Sequence, residues 1–207
     1  MKLFLSSYHL GNNPQDLANL FSTNKKVAVI ANAQDILEPD EREERVTREF
    51  NDLKALGLQP AEVDLRNYFG KKEALAQLLN AFGGVWIRGG NAFVLRKAMY
   101  ESGMDEYVLS KLHDEHFVYA GFSAALCVLS PSLHGYELVD DPHANPTGYK
   151  AGIMWEGLSI LPYSIVPHYQ SDHFESPLVE KSLEYLKKNI MPYKTLRDGE
   201  VLIDIIT

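Results

Sequence analysis

The apolar positions along this chain change period several times, and each change marks an element. Val27-Ala-Val-Ile-Ala31 is apolar at every position and follows Lys25-Lys26. An unbroken run of that kind suits a strand covered on both faces, in the middle of a parallel sheet. From Pro39 the period lengthens. Val46, Phe50 and Leu53 fall at helical spacing, and Gly57 supplies the stop. Asp40 with Glu43 matches a capping box at the start of that helix. Further strands are expected at 61–65, 84–90 and 117–121, and helices at 72–80, after Asn91, and at 105–113. Asn91 is placed to cap its helix, with Val94, Leu95, Ala98 and Met99 turned inward. A strand at 2–7 and a helix at 15–23 come before all of these. Such alternation predicts the α/β class, a three-layer, mostly parallel sheet with helices on both faces.

The alternation fails between 130 and 162, where Pro, Gly, Asp and Asn are frequent. Loops and short antiparallel strands placed over the site are expected there. Residues 164–168 read as a strand ending in His168. Ser176-Pro177 opens a helix with Val179, Leu183, Leu186 and Ile190 on one side. Two last strands, 193–196 and 200–206, are joined by the turn Arg197-Asp198-Gly199.

Composition narrows the function classes. The 207 residues are 45% hydrophobic and 23% charged, which suits one globular domain over 1–207. A net charge of -8 argues against a nucleic-acid partner, which would need clustered Lys and Arg. The single cysteine, Cys127, excludes an intramolecular disulfide. The apolar start is too short for a signal peptide, and no stretch approaches the ~20 apolar residues of a membrane helix. A cytoplasmic protein, a monomer or homodimer with no membrane partner, is expected.

The chemistry centres on Val118-Tyr-Ala-Gly-Phe-Ser-Ala-Ala-Leu-Cys127. A Ser on a tight strand-to-helix turn projects its hydroxyl clear of the sheet, beside the first free N–H groups of the helix. Gly121-Phe-Ser123 follows the pattern G-x-S-x-G, with Ala125 in place of the last Gly. A Ser hydroxyl needs a base, and the base needs an orienting group. His168 at a strand end and Asp198 in a turn offer both, although alone each reads as an ordinary core or turn residue. Gly89-Gly90 ends another strand, and sites in such sheets form at the carboxyl ends of strands. His168, Asp172 and His173 lack any recognised ligand spacing, so neither metal nor cofactor is expected.

Four blocks, Arg88-Gly-Gly-Asn91, Gly121-Phe-Ser-Ala124, Pro167-His168 and Leu196-Arg-Asp-Gly199, resemble the signature blocks of the aspartyl dipeptidase (peptidase E) family, relatives of the cyanophycinases. They occur in the same order and cover nearly the whole chain. The resemblance implies a flavodoxin-like fold akin to class I glutamine amidotransferases. It implies Ser123 as nucleophile, His168 as general base, and Asp198 where the dipeptidase carries Glu. The oxyanion would be held by N–H groups of Gly90 and Ala124, with Gly89 sharing the task. Asn91, His143 and His173 are assigned to the substrate, a small peptide or related amide. The family holds its substrate's Asp side chain with an Arg after the catalytic His, and residues 172–181 contain no Arg. Preference for Asp-X is therefore not implied. Two other functions share these residues: a non-catalytic small-molecule-binding relative, and an amidase on a non-peptide substrate.

Overall fold

The computed structural model describes residues 1–206. In chain order the elements are β1 (Lys2–Ser6), α1 (Pro14–Leu20), β2 (Lys26–Ile30), α2 (Pro39–Ala55), β3 (Gln59–Glu62), α3 (Lys72–Leu79), β4 (Gly84–Ile87), α4 (Ala92–Ser102) and α5 (Met104–Ser110). They continue with β5 (Val118–Phe122), α6 (Ala124–Cys127), β6 (Ser164–Val166), α7 (Ser176–Lys188), β7 (Tyr193–Thr195) and β8 (Val201–Ile205). Six strands form one sheet in the order β3-β2-β4-β5-β1-β8, all parallel except β8.

The buried strands divide their side chains between two cores, as a period of two requires. Leu3, Leu5, Ala28, Ile30, Val85, Ile87 and Tyr119 face the helices α3 to α6. Phe4, Val27, Val29, Trp86, Val118, Ala120 and Phe122 face the other way, toward Leu17 of α1 and Leu53 of α2. The unbroken apolar run of β2 thus has the cause the sequence suggested: both faces are covered. The chain is a three-layer α/β structure of the flavodoxin-like kind. No helix among the described residues is long and apolar enough to cross a membrane.

Several details differ from the sequence reading. The strand expected at 61–65 lies at 59–62, and it is an exposed sheet edge that tolerates Pro60. Helix α2 starts at Pro39, with Glu38 before it and no side-chain cap, so the Asp40–Glu43 box does not form. Pro fits the first helical position and sets the start there. Residues 130–162 contain one isolated antiparallel bridge, Ser132–Glu156, and a short 3-10 turn, not a set of strands. The two last strands do not pair with each other. β7 lies parallel to β6 in a separate two-stranded sheet, while β8 runs antiparallel to β1. The turn at Asp198 therefore connects two sheets.

Candidate active site

Strand β5 ends at Phe122, and Ser123 then takes φ 53° and ψ −109°. Side-chain-bearing residues avoid that region, and a Ser held in it at a strand-to-helix turn has the geometry of the elbow pattern read in the sequence. The turn is held on both sides. Ser123 N–H donates to Ser6 O at 3.3 Å, and Ser123 O accepts from Leu126 N–H at 2.8 Å. Beneath it, a Cβ at Gly121 would lie 2.6 Å from the Ala125 Cβ. The methyl group of Ala125 thus occupies room that Gly121 leaves, within the buried core.

His168 follows β6, again with positive φ, at 58°. Its imidazole Nε2 lies 3.1 Å from Ser123 Oγ, and its Nδ1 lies 2.7 Å from Asp198 Oδ1. A carboxylate accepts only, so Nδ1 carries the proton and Nε2 presents its lone pair to the Ser hydroxyl. Burial, reinforced by neighbouring His173, pushes the His168 imidazole below its usual pKa range, against the pull of Asp198. The ring is therefore neutral at neutral pH, the state a base needs. Ser123 follows a strand of the six-stranded sheet, while His168 and Asp198 follow the two strands of the smaller one.

A fourth group completes the arrangement, and the sequence reading missed it. Ser7, fully buried just past β1, donates from Oγ to Asp198 Oδ1 at 2.9 Å and accepts the His168 N–H at 2.8 Å. The Asp198 N–H donates to Ser171 Oγ at 2.8 Å. Asp198 and the His168 backbone are thus both held by short hydroxyl side chains. The only signal in the sequence was a polar pair, Ser6-Ser7, ending an apolar strand.

The loop after β4 runs beside Ser123. A Cβ at Gly89 would fall 2.9 Å from the Ser123 Cβ, so this close approach requires glycine. Among the described residues, nothing accepts a hydrogen bond from the N–H groups of Gly89, Gly90 or Ala124. Unused backbone donors grouped beside a hydroxyl can hold an anion.

The other assigned residues part company. His173 stacks on His168, with ring centroids 3.8 Å apart and 9° between planes, and lines the cleft. Asn91 accepts the N–H groups of Phe93 and Val94 and donates to Asp141 O, so its amide caps α4 and ties down a loop. His143 is exposed, and neither it nor Asn91 lines the cavities at Ser123.

Ser123 separates two spaces. One is an open cleft of ≈ 120 Å³ whose walls include Arg45, Arg88, Gly89, Gly90 and His173. Its arginines come from α2 and the residue after β4, far in the chain from 172–181, which holds none. Arg88 is buried and pairs with Glu49 at 3.2 Å; Arg45 pairs with Glu41 on the same helix. The second space is narrow, ≈ 20 Å³, between Ser123, Tyr136, Asp140, Val166, Glu175 and Val179. Burial pushes the Asp140 carboxyl up to about 7, and raises Glu175 as well. The Cys127 thiol is buried with its pKa raised, which makes it a poor nucleophile.

Known proteins resemble this chain in sequence and in fold. A Streptomyces coelicolor protein named peptidase E is 31% identical over 150 residues, 70% of this chain and 58% of its own length. A Drosophila melanogaster protein named as a probable alpha-aspartyl dipeptidase is 28% identical over 128 residues, 59% of this chain and 50% of its own. The chain thus spans between 50% and 58% of the length of these curated relatives. A crystal structure of a peptidase E protein from Listeria monocytogenes EGD-e matches with TM-score 0.72 and 21% identity, over 100% of this chain and 98% of that one. A peptidase from an acI-B1 Actinobacterium matches with TM-score 0.73 and 15% identity, over 98% of this chain and 82% of that one. These likenesses concern the fold. The model of peptidase family S51 matches residues 5–204, a span that contains the elbow, the imidazole and the acid, and the chain belongs to that family.

Proposed function

We propose that this chain is a serine hydrolase of the peptidase E type, which cleaves a short peptide or related amide through an acyl-enzyme. One observation carries the reading: the unbroken hydrogen-bonded series Ser123 Oγ, His168 Nε2 and Nδ1, Asp198 Oδ1. The names of the relatives, a peptidase E and an alpha-aspartyl dipeptidase, support it.

Ser123 Oγ attacks the carbonyl carbon as its proton passes to His168 Nε2. The carbonyl electrons move onto oxygen, where N–H groups of Gly90 and Ala124, with Gly89 beside them, hold the negative charge. Removing one such donor typically raises a barrier by ~3 kcal/mol. Protonated His168, stabilised by Asp198, gives its proton to the leaving amine. Water, activated by the same nitrogen, then releases the acid and frees Ser123. The small cleft favours short substrates over folded proteins. Arg45, the less buried of its two arginines, favours substrates bearing a carboxylate.

A fluorophosphonate probe tests the reading. It labels the wild-type chain, and Ser123→Ala abolishes the label. A dipeptide panel, run beside simple esters and amides, then identifies the scissile bond. Labelling that persists in Ser123→Ala, or a wild type that neither labels nor hydrolyses any member, would sink it.

A further inference from the structure

We infer that His168, His173 and Glu175 form a site for a divalent transition-metal ion of the zinc class, and that filling this site switches hydrolysis off. The binding claim stands on geometry alone. Only the inhibition rests on the hydrolase reading.

One donor atom from each of the three side chains lies within 4.8 Å of the others. Two imidazoles and a carboxylate with an open position are a zinc-binding donor set. All three lie on one loop, 168–175, between β6 and α7. The sequence reading paired His168 and His173 with Asp172, but Asp172 points outward and is exposed. Glu175 takes its place, and its carboxylate Oε2 stands 3.7 Å from His173 Nδ1.

His168 is already prepared as a ligand. Asp198 holds its Nδ1 at 2.7 Å, and a carboxylate on the far nitrogen is the usual outer partner of a metal-bound imidazole. The nitrogen left for a metal is Nε2, which faces Ser123 Oγ at 3.1 Å. The His173 ring stacks flat against this ring, so the two present their edges side by side and not at one point. Loading therefore turns the His173 ring and draws the donors inward, to metal–nitrogen distances of about 2.0–2.1 Å. Imidazole donors suit Zn²⁺ and Co²⁺, whereas Mg²⁺ prefers an all-oxygen shell.

The consequence for catalysis is direct. A metal on Nε2 occupies the lone pair that takes the Ser123 proton. The Glu175 carboxylate borders both spaces at Ser123, so the ion also stands at the junction between them.

Co²⁺ added to chelator-treated Ser123→Ala protein is the test, since this variant needs no turnover to report. One equivalent is expected to give visible absorption bands of nitrogen-ligated Co²⁺, which Zn²⁺ displaces. His173→Ala and Glu175→Ala, each checked for folding by thermal melt, are expected to weaken binding about tenfold or more. On wild-type protein, micromolar Zn²⁺ stops hydrolysis, a chelator restores it, and Mg²⁺ does neither. Zn²⁺ sensitivity in the two variants is read against each variant's own metal-free rate. A solvent-like Co²⁺ spectrum, or affinity unchanged by both substitutions, would overturn the site, and hydrolysis indifferent to Zn²⁺ would overturn the switch. Co²⁺ binding in a chain that never hydrolyses anything would instead count against the hydrolase reading.

Discussion

Ser7 Oγ lies 2.9 Å from Asp198 Oδ1, across 191 positions of sequence, and the same oxygen accepts the backbone N–H of His168. One buried hydroxyl just past β1 thus ties Asp198 to the backbone of His168. Ser7→Ala removes both bonds and leaves the His168 N–H without its acceptor. The expected result is a fall in kcat/KM of about 10- to 100-fold and a loss of about 1–3 kcal/mol in stability. Chemical denaturation and the rate of fluorophosphonate labelling read the two effects separately. An unchanged labelling rate would mean that acid and base hold their places without it.

Gly89 passes so close to the elbow that a methyl group there would meet the Ser123 Cβ at 2.9 Å. Gly89→Ala displaces the loop bearing the unused N–H donors. A fall in kcat of about 10²- to 10³-fold is expected, the size of one lost oxyanion donor. Circular dichroism should show the fold intact. Full activity in a folded Gly89→Ala protein would exclude this loop from the reaction.

The cleft arginines address what the segment after His168 lacks. Arg45 reaches the cleft with its charge shared only with Glu41 on the same helix. Arg45→Ala is expected to raise KM for acidic dipeptides about tenfold, more than it lowers kcat, with neutral dipeptides less affected. Equal losses for acidic and neutral substrates would dismiss Arg45 as a carboxylate partner.

The His168 pKa is lowered by burial and by His173, with His9 acting the same way and Asp198 opposing. A base must be unprotonated, so kcat/KM should rise with pH through an ionisation below the ordinary value of about 6.5 and stay level above it. Replacing His173 with Ala removes a like charge and opens the ring to water, and both changes move the midpoint upward. Profiles measured with chelator present check this. A midpoint above 7 in the wild type would contradict the burial argument.

Asp140 titrates the stability of the fold. Its carboxylate accepts the Ala92 N–H at 2.8 Å and faces Glu175, and burial raises its pKa to about 7. Unfolded, it returns to about 3.9. Between those values the folded chain binds the proton more tightly, so this group makes stability fall as pH rises from about 4 to about 7. Asp140→Asn keeps an acceptor and loses the charge. Its melting temperature relative to wild type should therefore increase across that window, then level off. A difference independent of pH would refute the assignment.

Much of the architecture could be read from the chain alone. Val27–Ile30, Val85–Ile87 and Val118–Phe122 are apolar throughout because both faces of their sheet are covered, and that pattern is local. The elbow at Ser123 was equally legible, since a Gly, a Ser and small residues must follow one another for the turn to close. What lay beyond reach was pairing. β6 and β7 leave the main sheet, and nothing in the short runs Ser164–Val166 and Tyr193–Thr195 distinguishes them from strands that join it. Ser7, Arg45 and Glu175 come to the site from separate elements, and each looks ordinary among its chain neighbours. Periodicity records which face of an element is dry. Only the folded chain decides which polar groups, scores of positions apart, share the same few ångströms, because a hydrogen bond depends on distance in space and not on separation in sequence.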